Sequence, residues 1–518
     1  MLGSPTAFNL YNQVMFVRKV ASRSGNIAVQ VVKKVNRKNK VLKHLGTAKT
    51  SLELAHLAKV GQEYINRQRI NSGVISFFDS RFQKSDLEKL LSKLSFTQSF
   101  ETATYQFLEH FYRVIGFNKL NDHCFQDLVI ARIIKPSSKR QTREFLESRF
   151  GKKYSLTKIY RALRAAFDKQ YQNQVERIVH RFVIGKISPT ISVVFFDVTT
   201  LYYESFDEDE IRKCGFSKDY KHNQPQVVVA ITVATQGIPL AMKMFPGNTF
   251  EGHALLPCLE ETIDRFRSDN CVVVADSAML SQDNLDLLEE HKLKYIVGAR
   301  LGNLSQKLFR KVIEIPKVDK ATIRISLNEE RLLVVSYSAK RAAKDKHDRE
   351  KQIQKAKEVL AQPEKISRRY KFIRSAKKGS HDLNQPLIEK AKQLEGLKGY
   401  ISNTTELENE EIVSKYAELW QVGKAFRMSK SDLKARPIFH TIKQSIEAHL
   451  LIVFTALVIV RYVELTTNQS ISQAVKTLNQ VKEIIVEDSV SKQTVSKFTK
   501  LNSESRKLLK LTKLNWVT

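Results

Sequence analysis

The spacing of apolar residues changes three times along this chain, and each change predicts a different kind of element. Near the start, "QVMFVRKV", "NIAVQVVKKV" and "KVLKHLG" are short β-branched runs separated by Ser-Gly and Asn-Arg-Lys punctuation, the pattern of a small basic β-meander. After about residue 50 the pattern turns helical, and from about residue 100 to 185 apolar residues recur at helical spacing. In "SLTKIYRALRAAF" they are Leu156, Ile159, Tyr160, Leu163 and Phe167, with Ser155 placed to cap the helix. This helix follows "KPSSKRQTREFLESRFGKKY", so helix, basic turn and helix succeed one another as in a helix-turn-helix unit.

The period then shortens to that of strands. "TISVVFFDVTTLYYES", "PQVVVAITV", "PLAMKMF", "CVVVADS" and "KYIVGAR" are apolar, β-rich runs, and helical patterns intervene only around "GHALLPCLEETIDRF" and "SQDNLDLLEEHK". Short links join the first three, Gly237 marking one turn, which predicts antiparallel neighbours; the last two each follow a helix, which predicts parallel crossovers. The expected fold class is α/β, a mixed sheet with helices on its faces. From Arg300 to about Glu410 the sheet pattern stops. There "VIEIPK", "ATIRISL" and "RLLVVSYS" precede the basic helical run "AKRAAKDKHDREKQIQKAKEVL", which predicts an inserted β-plus-helix subdomain with a nucleic-acid face. A solvated helix laced by i,i+4 pairs is the alternative. "LLIVFTALVIV", Leu450 to Val460, falls short of the roughly 20 residues that span a bilayer and reads as a helix buried in a core. The tail after Glu464 reads as further helices.

Composition adds a partner. The 518 residues are enough for several cores, and the formal charge of +32, from 86 Lys and Arg against 54 Asp and Glu, is spread along the chain. A polyanion is the implied partner, DNA or RNA ahead of a membrane, with a merely basic or ribosome-associated protein as the alternative. Cys124, Cys214, Cys258 and Cys271 are far apart and form no CxxC, so they read as buried thiols of a reducing cytoplasm rather than a zinc site or disulfide framework. "MLGSPTAFNLYNQVMF" lacks the charged and apolar blocks of an export signal.

Two acids stand where acids are costly. Asp197 ends the apolar run of "SVVFFDVTTLYYES" and Asp276 ends that of "CVVVADSAML". A buried carboxylate needs a helix N-terminus, a base or a metal ion. Two such strands side by side would bring both acids to one sheet edge, an arrangement suited to Mg²⁺ or Mn²⁺, and two ions there can activate a water or hydroxyl and stabilise the leaving oxygen of a phosphodiester. The alternative is that each Asp caps the element that follows it.

These segments, with "YAELWQVGKAFRMSKSDLKARPIFH", "GFSKDYKHNQPQVVVAITVATQGIPLAMKMFPGNTFEGH" and "LVVSYSAKRAAKDKHDRE", resemble the DDE transposases of bacterial insertion sequences. More narrowly they are similar to the group marked by a Tyr, Arg, Glu, Lys signature in the last catalytic helix, over roughly residues 100 to 465. The resemblance implies a ribonuclease H-like core interrupted by an insertion domain, after a helical N-terminal DNA-binding region. It also implies dimers that bind terminal inverted repeats, cut the DNA ends with divalent metal and join them to target DNA, in a bacterial cytoplasm, on the nucleoid. Asp197 and Asp276 match the first two acids; Glu251 and His253 of "GNTFEGH" match a segment to which we assign a structural or positioning role. The expected domains are 1–70 (small, basic, β-rich), 71–185 (helical, DNA-binding), 186–300 (first part of the core), 301–410 (insertion), 411–465 (last core helices) and 466–518 (helical tail).

The last helix departs from the signature. Counting from Tyr416, its Arg position falls on Leu419, its Glu position on Gly423 and its Lys position on Lys430. On one continuous helix Glu418 would lie about 140° and Asp432 about 180° round from Gly423, so neither replaces the acid. Arg427 and Lys430 lie within about 40° of it. Tyr416, Arg427, Lys430, Lys434 and Arg436 are therefore the expected phosphate contacts, and Asp197 and Asp276 the expected metal ligands and catalytic acids. Two readings follow: a metal-dependent transposase impaired at Gly423, or a transposase-derived DNA-binding protein without strand transfer. A related nuclease without mobility fits the insertion domain less well.

Overall fold

The computed structural model describes residues 15–21, 25–35, 38–71, 92, 94–217, 223–255, 257–259, 271–279, 281–361, 370–375, 381–489 and 492–512. The stretch read for an export signal up to residue 14, residues 218–222 of the "GFSKDYKHNQPQ" segment and most of the helix expected over "GHALLPCLEETIDRF" lie outside these. The chain divides into two units, Met1–Thr97 with Ile485–Val495, and Gln98–Ile484 with Ser496–Thr518.

In the first unit β1 (Met15–Ala21), β2 (Ile27–Val35) and β3 (Lys38–Ala48) form the expected antiparallel meander. Helix α1 (Ser51–Asn71) lies on it, with Val29, Val31, Val32 and Ile65 buried. Gly61 makes the approach possible, since a Cβ there would stand 2.8 Å from side-chain atoms of both Val17 and Leu45. The segment expected to be helical from residue 71 also contains a strand, β4 (Leu94–Phe100).

The second unit opens with α2 (Thr102–Ile115), α3 (His123–Ile134), α4 (Lys139–Phe150), α5 (Leu156–Asp168) and α6 (Tyr171–Phe182). Ser155 does cap α5, its hydroxyl accepting from the Lys158 amide at 3.1 Å. Ile159 and Leu163 are buried, but Tyr160 and Phe167, counted with the same stripe in sequence, are exposed. Each lies next to the stripe on the helix rather than on it, and aromatic bulk alone does not bury a position.

The main sheet begins with β5 (Val193–Tyr202), β6 (Gln226–Ala234) and β7 (Pro239–Pro246), antiparallel neighbours as expected. Then β8 (Val272–Ala275) joins β5 in parallel, and α7 (Gln282–Glu290) leads to β9 (Lys294–Ala299), parallel to β8. Both faces are covered, which is why the strands read as unbroken apolar runs. Phe195, Leu201, Val229 and Ile231 point to one side, Phe196, Val198, Val228 and Ala230 to the other.

The sheet does not stop at Arg300. After α8 (Gln306–Ile313) come β10 (Thr322–Ser326) and β11 (Leu332–Tyr337), then α9 (Ala339–Leu360), the hairpin β12 (Ile373–Ser375) and β13 (His381–Leu383), α10 (Gln385–Gln393) and β14 (Leu397–Ser402). β14 pairs antiparallel with β9, and the complete order is β10-β11-β14-β9-β8-β5-β6-β7. The strands of the inserted stretch thus cover an edge of β9 that would otherwise leave a row of backbone groups unpaired.

The chain closes on the sheet with α11 (Asn409–Ala417), α12 (Trp420–Ser431) and α13 (Lys443–Thr467). By length and composition α13 resembles a membrane span, yet 89% of its most apolar window is buried, against α2, α3, α5, α12 and β7. It is the core helix expected over Leu450 to Val460, extended by a turn or more at each end. The tail is not wholly helical: α14 (Ile471–Leu478) and α15 (Ser503–Lys510) flank a hairpin of β15 (Glu483–Asp488) and β16 (Thr494–Phe498), and β15 also pairs with β4. In "EIIVED" the apolar residues form a short run between charges, too brief for its period to be read.

Candidate active site

Strand register brings the two acids together. In the parallel pair β5–β8, Phe196 lies opposite Ala275, so Asp197 and Asp276 occupy the next positions on neighbouring strands. Alternation puts both on the side of Phe195, Leu201 and Val274, the face covered by α12 and α13. Asp197 is half-buried and Asp276 exposed. The Asp197 carboxylate accepts from the Val198 amide at 2.8 Å and that of Asp276 from the Ser277 amide at 2.6 Å. The turn at Glu251–Ala254, which carries Glu251 and His253, packs against Ser277–Met279 just after Asp276.

Tyr416 approaches the second acid from α11. Its hydroxyl stands 3.4 Å from Asp276 Oδ1, at the outer limit of a hydrogen bond. Burial first, and the Asp276 charge second, raise its phenol pKa far above the ordinary value. Gly298 on β9 creates the room, since a Cβ there would lie 2.4 Å from the Tyr416 hydroxyl. The Tyr400 ring packs edge-on against that of Tyr416 at 4.9 Å, and Lys398 Nζ lies over it, 4.3 Å from the centroid. Burial and then Arg341 lower the Lys398 pKa, with the Asp276 charge opposing. Neither Lys398 nor Arg341 was visible as a site residue in the sequence, because β14 and α9 meet Asp276 only through the sheet. Together with Arg349 and Lys390 they line a cavity of about 750 Å³ that opens beside Asp276 and Tyr416.

The stretch Tyr416 to Pro437 is not one regular helix. Leu419, Gln421 and Val422 amides bond to carbonyls three residues back, a tightened turn that separates α11 from α12. The rotation counted from Gly423 back to Glu418 crosses that joint, so it does not describe the real angle. Within α12 the count holds. Val422, Ala425, Phe426 and Ser429 are buried, while Gly423 and Arg427 are exposed and Lys430 half-buried on the other flank. A Cβ on Gly423 would meet nothing within 4 Å. Trp420, 58% exposed at the start of α12, presents a bare aromatic face that charge-based reasoning passed over. Lys434 and Arg436 lie beyond the helix, where Arg436 stacks over the Tyr202 ring at 5.4 Å at the far end of β5. Tyr202 is five positions along the strand from Asp197, roughly 17 Å from the acids, so Arg436 does not join the acidic pair.

Paired carboxylates next to basic side chains, at the end of a central parallel strand pair, define a class of site suited to phosphodiester chemistry. Residues 188–459, just over half of the chain, match the family described as transposase DDE domain. The chain belongs to the DDE transposases, enzymes that cut and transfer DNA strands. A solved structure of the piggyBac transposase synaptic complex with hairpin DNA is similar at a TM-score of 0.37 and 11% identity, over 68% of this chain and 69% of that one. No curated protein matches the chain.

Proposed function

We propose that this chain is the transposase of a bacterial insertion sequence, with a ribonuclease H-like core, that binds its terminal inverted repeats and target DNA as a homodimer, and that its chemistry is impaired at Gly423. The observation that carries the proposal is the adjoining register of Asp197 and Asp276 on the face covered by α12. Two neighbouring carboxylates, one exposed and one half-buried, are oxygen donors of the kind Mg²⁺ or Mn²⁺ selects, and they would hold up to two such ions. When bound, the metal supplies an activated water or 3′ hydroxyl and stabilises the leaving oxygen.

The remaining roles belong to the chain's own residues. Tyr416 holds Asp276 in place from its buried side. Arg427 and Lys430, on the flank of Gly423, and Lys434 and Arg436 beyond it, contact backbone phosphates. A second reading, a DNA-binding protein without strand transfer, is favoured by Gly423 itself. One assay separates the two. The protein and its Gly423→Glu form are incubated with terminal-repeat DNA and Mg²⁺ or Mn²⁺. Both are expected to bind ends and only the Glu form to cleave efficiently. Equal cleavage would overturn the assignment of Gly423 to the third acid position, and an active form that tolerated Asp197→Ala would overturn the metal site.

A further inference from the structure

Away from the acids, four basic side chains converge in the interior, and among the described residues no carboxylate pairs with them. Arg132 comes from α3, Lys139 from the first turn of α4, His449 from α13 and His440 from the segment that joins α12 to α13. Arg132, Lys139 and His449 are at most 6% exposed, and His440 is half-buried. Three of them respond to their neighbours: burial and then Arg132 lower the Lys139 pKa, burial followed by Lys139 and Arg132 push His440 down to about 4, and burial followed by Lys139, Arg132 and His440 depresses His449. The rings of His440 and His449 are 5.6 Å apart. Among the described residues no acid opposes these shifts.

Their hydrogen bonds are as incomplete as their charges. Arg132 donates to the Ser137 carbonyl at 3.1 Å, and among the described residues the Lys139 side chain has no acceptor. His449 Nε2 donates to the Ala435 carbonyl at 3.2 Å, which leaves Nδ1, and that buried atom has no partner. The 12-residue helix α4 begins at the same place. Its Ser138 cap satisfies the Gln141 amide at 3.3 Å, leaving the amides of Lys139 and Arg140 outside the helical ladder, at the positive end of the helix dipole. Buried cations without counter-charge are strongly unfavourable, and a buried ring nitrogen without a partner adds to the cost. A tetrahedral oxyanion corrects both faults, because helix N-termini and clustered bases are what phosphate groups seek.

We propose that Arg132, Lys139, His440, His449 and the N-terminus of α4 form a binding site for one phosphate group, distinct from the Asp197–Asp276 centre. With Nε2 committed to Ala435, His449 takes up a proton at Nδ1 when the anion enters. The group can come from free phosphate or from a DNA backbone reached past half-exposed His440. The site does not depend on the chain's activity as a transposase.

The test uses the full chain, its Lys139→Met form, which replaces the buried cation by an apolar chain of similar length, and its His440→Gln form, altered at the half-exposed residue. Thermal unfolding is followed in inorganic phosphate and in chloride at matched ionic strength. Phosphate is expected to raise the midpoint of the native chain by a few degrees more than it raises that of either variant. Salting-out by phosphate acts on all three alike and cancels. No difference between native chain and variants would overturn the proposal. A second arm measures binding of a short duplex by anisotropy. If Lys139→Met weakens it roughly threefold to tenfold and lowers the salt slope by about one, the occupant is a backbone phosphate. If the phosphate response is lost while duplex affinity is unchanged, the occupant is the free ion.

Discussion

Arg461 on α13 donates to Gln421 on α12 at 3.2 Å, and the same guanidinium bonds the Gly237 carbonyl at 3.0 Å and the Gln236 carbonyl at 2.8 Å. One buried cation therefore ties the first turn of α12 to the β6–β7 turn. Glu464 secures the other flank, pairing with Arg461 at 3.0 Å and Lys424 at 2.9 Å. Gly423 lies between Gln421 and Lys424, so its place is set by this clamp. Replacing Arg461 by Met removes the cation and strands the carbonyls. The expected loss is about 3 kcal/mol, read from urea unfolding. A loss below about 1 kcal/mol would show that the clamp does not hold α12.

Gly423 sits on a helix, exposed, with open space where a side chain would go. Nothing in the packing requires glycine there. Glu at this position regains helix propensity and places a negative charge in the first turns of α12, where the helix dipole favours it. Gly423→Glu is expected to stabilise the protein by about 1 kcal/mol, measured in urea without DNA. Destabilisation would mean that neighbouring groups exclude the side chain.

Gly298 and Tyr416 form a lock that a double-mutant cycle can open. A Cβ at Gly298 would stand 2.4 Å from the Tyr416 hydroxyl and 3.1 Å from Cζ. Gly298→Ala should cost about 2 kcal/mol by overpacking. Tyr416→Phe alone removes one long contact to Asp276 and should cost less than about 1 kcal/mol. Combined, the two changes should cost less than their sum, because Phe lacks the oxygen that clashes. Strict additivity would disprove the contact.

The strands of the central sheet were readable because each is an apolar run, so period and order sufficed. β14 was missed for the opposite reason. Its "LKGYIS" pairs with β9 across about a hundred intervening residues, and its glycine and lysine weaken the β signal. Asp197 and Asp276 were legible as acids ending apolar runs, and their adjoining register follows from two strand assignments. Lys398, Arg341 and the Tyr416–Asp276 contact were not, since they depend on β14 taking its place beside β9. The cluster around Lys139 was hidden most deeply: its residues fall in two pairs, Arg132 with Lys139 and His440 with His449, at opposite ends of the second unit's sequence, and nothing in either pair's spacing points to the other.

That cluster also makes stability depend on pH. His440 is held down at about 4 and His449 well below its ordinary 6.5, by burial and by Lys139 and Arg132. In the unfolded chain both return to about 6.5. Between the two values the unfolded state binds more protons, so stability falls as pH drops from 6.5 toward 4, by at most about 1.4 kcal/mol per pH unit for each histidine. The urea midpoint is expected to decline over this window in phosphate-free buffer. His440→Gln should flatten the decline, having no proton to take up. Since proton uptake by His449 accompanies anion binding, added phosphate should flatten it in the native chain as well. A native midpoint constant from pH 6.5 to 4.5 would show that these histidines are not neutral in the fold.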